Sequence, residues 1–215
     1  MERTIALLFL CTAVEGFVGT HIFVHEDKKW YEAQTYCRHH HTDLSFVNSQ
    51  SDLDRLLSAS SEKDREGWIG LQRNPKNITA WMWSNGEWND DNDLKSMHFY
   101  CIQLTVVVEE KSWEEALEHC REHHTDLSSL LSETDNLMAL REYQKKHTTE
   151  RMWIGLRYLA DRWLWVNGDP LEFEAWPKGG VQDHQCPIRN RCGALTKEGL
   201  WENWDCQDKL NFICL

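Results

Sequence analysis

The chain is poor in positive charge: 23 Lys and Arg stand against 35 Asp and Glu in 215 residues, a formal net charge of −12. So acidic a surface repels phosphate backbones and anionic lipid, which argues against nucleic acid and membrane surfaces as partners. Long apolar runs are also scarce. The longest, Ile5 to Val14, is too short for a bilayer that needs about 20 apolar residues, so no membrane span is expected. G-x-S-x-G, the P-loop and G-x-G-x-x-G are all absent, and with them the common hydrolase, nucleotide and dinucleotide signatures; an enzyme is not expected. No Gly, Pro or Ser run separates Cys101 from Val106, so nothing in the middle of the chain reads as a flexible spacer.

What is present begins with a leader. Arg3, the apolar run and the small residues Gly16 and Gly19 read over 1–19 as a secretory signal peptide, with cleavage after Gly16. A secreted, extracellular product follows. Cys11 leaves with the leader, and Cys37, Cys101, Cys120, Cys186, Cys192, Cys206 and Cys214 remain, an odd set for a disulfide framework in an oxidising compartment. Asn77-Ile78-Thr79 is an acceptor triplet for N-linked glycan and predicts a glycoprotein modified on a surface loop.

The chain repeats itself. "CRHHHTDL" from Cys37 returns 83 residues later as "CREHHTDL" from Cys120, and "WYEAQTYC" returns as "WEEALEHC". "GWIGL" at Gly67 matches "MWIGL" at Met152, and "WMWSNG" at Trp81 matches "WLWVNG" at Trp163, so two copies of one module fill residues 20–102 and 103–215. Each copy opens with a short strand, Ile22 to Val24 or Val106 to Val108. A helix follows: Trp113, Ala116, Leu117 and Cys120 share one face, and Ser112 with Glu115 predicts a capping box. Ser49 with Asp52, and Ser132 with Asp135, start a second helix whose apolar side carries Leu53, Leu56 and Leu57, or Leu137 and Leu140. The pattern then changes to Trp-rich alternation with Asn-Gly turns. The class is α+β.

The helix with its cysteine, the WIGL strand, the W-x-W strand with Asn-Gly and the terminal "FIC" together resemble the C-type lectin-like domain. The tandem looks like repeats of the macrophage mannose receptor type. The resemblance implies Cys37–Cys101 and Cys120–Cys214 as the outer disulfides and Cys192–Cys206 as the inner one, leaving Cys186 unpaired. That thiol is either capped or buried, or it links a second chain into a dimer.

In sugar-binding members of that family Ca²⁺ is held by a Glu-Pro-Asn loop, a Glu before the inner cysteine and a Trp-Asn-Asp triplet. Here those places carry Gly180-Val181-Gln182, Asn190 and Trp201-Glu202-Asn203, so three carboxylates fall to one. Calcium affinity rises with carboxylate count, and no calcium or other cofactor is expected; Asp183 and Glu198 are the nearest substitutes. Gln182, Asn190, Glu202 and Asn203 remain as hydrogen-bonding groups for a ligand, with Trp176 as the sugar-stacking candidate or a simple packing residue. The first copy has only 18 residues from Trp83 to Cys101, against 49 from Trp165 to Cys214, so its long loop is missing and Trp88-Asn89-Asp90 is left without the rest of a cage.

The histidines admit a sharper reading. His119 to His123 matches H-x-x-E-H, a zinc motif in which Glu122 would be the base. The first copy has Tyr36 and His39 in place of His119 and Glu122, and Cys120 faces the core, so a solvated helix face is the reading adopted for both triplets. Trp68, Trp81, Trp83, Trp153, Trp163 and Trp165 are core residues on strands. The expected function is binding, with glycans or glycoproteins as the implied ligand class and a protein ligand as the alternative.

Overall fold

A computed structural model describes residues 19–47, 50–61, 63, 65–74, 77–83, 95–178 and 187–215. Residues 1–18 of the expected leader, Ser49, the first Asn-Gly turn, Trp88-Asn89-Asp90, Gln182, Asp183 and Cys186 lie outside the described residues.

The first copy runs β1 (Thr20–Lys28), α1 (Trp30–His40), β2 (Asp43–Leu44), α2 (Gln50–Ser58), β3 (Leu71–Asn74), β4 (Asn77–Trp83) and β5 (Met97–Gln103). The second runs β6 (Thr105–Lys111), α3 (Trp113–His123), α4 (Glu133–Gln144), β7 (Arg151–Leu159), β8 (Arg162–Trp165), β9 (Cys192–Thr196), β10 (Trp201–Trp204) and β11 (Leu210–Cys214). β5 lies between β1 and β2, β3 pairs with β4, and the second copy builds the order β10-β9-β7-β11-β6 with β8 on β7. Every named pairing is antiparallel except β11 with β7, where Phe212 faces Trp153; the first copy repeats that parallel crossing as a bridge between Trp68 and Phe99.

The repeated sequence produces repeated contacts. Trp30 Nε1 donates to Ile69 O at 2.8 Å, and Trp113 Nε1 to Ile154 O at 2.9 Å. Trp68 Nε1 donates to Lys28 O at 2.9 Å, and Trp153 Nε1 to Lys111 O at 2.9 Å. The Trp30 and Trp113 indoles thus tie each first helix to the WIGL segment, and the Trp68 and Trp153 indoles tie that segment to the end of β1 or β6, all four satisfied at their nitrogens. The WIGL glycine is sterically required in the second copy, because a Cβ on Gly155 would lie 2.6 Å from Leu127 O. Disulfides join Cys37 to Cys101, Cys120 to Cys214 and Cys192 to Cys206.

α3 starts on a capping box: Glu115 N donates to Ser112 Oγ at 3.4 Å and Ser112 N to Glu115 Oε2 at 2.8 Å. Lys209 also donates to Glu115 and, with the Ser112 amide, holds that exposed carboxyl down to about 2. α4 departs from the sequence reading. Leu137 and Leu140 are only half-buried, while Asp135, Asn136, Met138, Ala139, Glu142 and Tyr143 are buried. The reason is that α4 is enclosed on more than one side: Asn136 reaches the β9–β10 turn, whereas Arg141 and Lys145 reach the first copy.

The two copies share a core. Phe46, Ile102 and Leu104 pack in one cluster with Leu130, Met138, Tyr143, Ile154, Trp201 and Leu215. The first copy's own cluster is small, consisting of Ala33, Cys37, Leu44, Phe99 and Cys101. β5 ends at Gln103 and β6 starts at Thr105, so the connection is the single residue Leu104, 2 % exposed, whose amide donates to Thr42 Oγ1 at 2.9 Å. Burying that leucine contributes about 2 kcal/mol. Asn77, the acceptor of the expected glycan, opens β4 opposite Asn74 rather than sitting mid-loop.

Candidate functional site

Of the residues that the sequence analysis gathers around a sugar site, Glu202 and Asn203 follow Trp201 on β10, and Trp176 packs on the Trp201 ring. This indole is fully buried and donates to Asn136 Oδ1 at 2.8 Å, while Asn136 Nδ2 donates to Gly199 O at 2.7 Å. α4 therefore anchors the hairpin of β9 and β10 from below. The side chains of β10 alternate: Trp201 and Asn203 are buried, Glu202 and Trp204 half-buried. Sequence reading treated Trp201 only as part of a degenerate triplet and missed its place in the core.

Glu202, the last carboxylate of the family's calcium set, is already occupied. Arg151, at the start of β7, donates through Nε to Glu202 Oε2 at 2.5 Å, and its guanidinium lies 4.1 Å from the centre of the Trp204 ring. The two charged side chains are 30 % and 25 % exposed, so the ion pair is worth roughly 1 kcal/mol, and the cation–π contact adds about as much. A cation at Glu202 would first have to displace this intramolecular one. Nothing in the sequence pointed to Arg151, which stands two strands away across β9.

Trp176 is half-buried. Its ring lies 5.1 Å from Trp163 and 5.7 Å from Trp201, and Trp201 N donates to Ala175 O at 2.9 Å, so its segment is laid against β10. The structure packs Trp176 on the buried Trp201 indole and turns Glu202 to the other face of β10, toward Arg151. It places Asn190 at φ +57° in the turn before β9, where Tyr158 N donates to the neighbouring Arg191 O at 2.8 Å. Arg191 Nε donates to Pro187 O at 3.2 Å and closes that turn, which leaves Ile188 89 % exposed.

On the helices, the His119 and His123 rings stack at 4.4 Å, His119 lies edge-on to Phe212, and Cys120 is bonded to Cys214. In the first copy His40 packs on Tyr36 at 4.4 Å, and His41 Nδ1 is 3.1 Å from Gln103 Oε1. Among the described residues no three His, Cys, Asp or Glu side chains converge as a metal site. No described helix is long and apolar enough to cross a membrane.

A sequence profile of the family described as "Lectin C-type domain" matches residues 26–96 and 109–215. Among curated relatives, the chain is 29% identical over 122 residues to the secretory phospholipase A2 receptor of Bos taurus, covering 53% of this chain and 8% of the receptor. It is 31% identical over 134 residues to lymphocyte antigen 75 of Homo sapiens, covering 58% of this chain and 7% of that protein. The chain thus spans less than a tenth of these two relatives. Human lithostathine is similar in structure with a TM-score of 0.46 and 21% identity, over 52% of this chain and 80% of that one. With matches across both repeats, this chain belongs to the C-type lectin domain family.

Proposed function

We propose that the chain is an extracellular binding protein whose second copy recognises its ligand without calcium. The observation that supports this reading is the Arg151–Glu202 pair, which engages the one carboxylate left at the calcium positions that the family resemblance implies. The leader at 1–19 and the three disulfides support secretion. Glycans or glycoproteins are the first ligand class, with Glu202, Asn190 and Gln182 as the hydrogen-bonding candidates and the half-buried Trp176 beside β10; Asn203, buried, serves the fold instead. The first copy serves as structure, and the tandem fits the architecture of receptors that repeat this domain.

A second reading, a protein ligand, rests on Ile188, an aliphatic side chain held 89 % exposed on an anchored turn and followed by Arg189 and Arg191. A glycan array run with and without chelator separates the two. Sugar binding indifferent to chelator supports the first reading, and silence on every glycan supports the second. Sugar binding abolished by chelator, or a saturable heat on titration with millimolar Ca²⁺, overturns calcium independence.

A further inference from the structure

Two turns meet at one end of the second copy's sheet. The β7–β8 hairpin turns at Ala160 and Asp161, where Leu159 pairs with Arg162. Residues 187–191 lead into β9 beside it, held there by Tyr158 N, which donates to Arg191 O at 2.8 Å. The non-glycine residues at positive φ among the described residues are Ala160, Asp161 and Asn190, and all lie in these two turns. A left-handed backbone at an alanine persists only where the surrounding structure imposes it, so the tip is held in one conformation.

This tip exposes apolar surface that folding ordinarily hides. Leu159 is 51 % exposed, and no large apolar side chain among the described residues is more exposed than Ile188. The same two turns carry Arg162, Arg189 and Arg191, all exposed, against the single carboxylate of Asp161. Arg162 and Arg189 have no ion-pair partner among the described residues, and Arg191 spends only Nε, on Pro187 O. Arg157, one residue before Tyr158, does not count toward this charge because Glu114 takes it at 2.7 Å. Three positive charges against one negative leave the tip positive in a chain of −12.

An aliphatic side chain fixed in water is covered most favourably by another apolar group, and exposed guanidiniums match carboxylates in their fork geometry. A neutral sugar uses neither feature. We propose that this tip docks an acidic segment of a partner protein, in which one aliphatic or aromatic side chain covers Ile188 and Leu159 while flanking carboxylates meet Arg162 and Arg189. The inference rests on the protein-ligand reading above and adds the partner's charge to it. Because the turns are already fixed, docking orders only the incoming segment.

The experiment selects a displayed library of random peptides on the full chain and titrates the recovered sequences as synthetic peptides. They should carry net negative charge around one aliphatic or aromatic residue. On the wild-type chain their affinity should fall about tenfold or more between about 0.05 and 0.5 M sodium chloride. Arg162→Glu with Arg189→Glu should weaken them at least about tenfold, and Ile188→Ser should remove binding. All three positions are exposed, so an unchanged melting temperature shows that the variants fold. Recovered peptides that are neutral or basic, or whose affinity ignores both salt and the arginine changes, overturn the proposal and leave the protein-ligand reading standing. Failure to recover any peptide also overturns it, and sugar binding on the glycan array then removes the protein-ligand reading as well.

Discussion

Arg141 of the second copy donates to the same Asp43 oxygen that accepts from Arg38 of the first. The equivalent aspartate of the second copy, Asp126, takes Arg121 at 3.1 Å, with that arginine 50 % exposed. One sequence position thus does two jobs, structural seam in one copy and surface ion pair in the other.

Asp43→Asn should therefore cost about 2 kcal/mol, because two guanidiniums lose the buried charge between them. Asp126→Asn should cost less than about 1 kcal/mol, as partly exposed pairs do. Urea midpoints measure both, and equal losses would contradict the seam.

Asp135 sets a pH dependence. Burial raises its carboxyl to about 7, against hydrogen bonds from Ser132 and Leu131 N, and the charge of Asp52 raises it further. Asp52 is the equivalent residue of the first copy, buried 3.9 Å from His21. A folded value above the unfolded one means stability that is complete below about pH 4 and lost as pH rises through about 7. The full loss is on the order of 4 kcal/mol. Asp135→Asn keeps an acceptor for Leu131 N and should remove that fall; unfolding free energies measured at pH 5 and pH 8 would then differ less in the variant than in wild type. An unchanged difference would sink the assignment.

Much of this was legible because repetition is a strong signal. Two copies each with a Trp-x₆-Cys helix and a WIGL strand fix the α+β layout, and Ser112 and Ser132 mark helix starts that the structure keeps as caps. Other features left no local trace. The β7–β8 turn consists of Ala160 and Asp161, both at positive φ, with no glycine to announce it, while the Asn167-Gly168 pair ends β8 instead. Arg151 meets Glu202 only through the strand order, and α4 buries polar groups because a second copy covers it. Periodicity within one helix sees neither.

Trp176→Ala separates packing from sugar stacking. Its contacts with Trp163 and Trp201 predict a loss of about 2 kcal/mol, read as a fall in melting temperature without ligand. An unchanged melting temperature would return it to the role of an open platform.

The inner disulfide closes a loop of 14 residues, Cys192 to Cys206. Replacing both by Ala should cost about 3 kcal/mol. Because Pro187–Arg191 leads directly into Cys192, limited proteolysis should cut that turn sooner in the double variant, while the Cys120–Cys214 bond persists by mass spectrometry.

Leu104 leaves no slack between the halves. A hinge needs a residue able to rotate in water, and here the sole connecting residue is wedged among the side chains of both neighbours. The two halves are therefore held in one orientation by the core they share, and a change in either is felt by its neighbour.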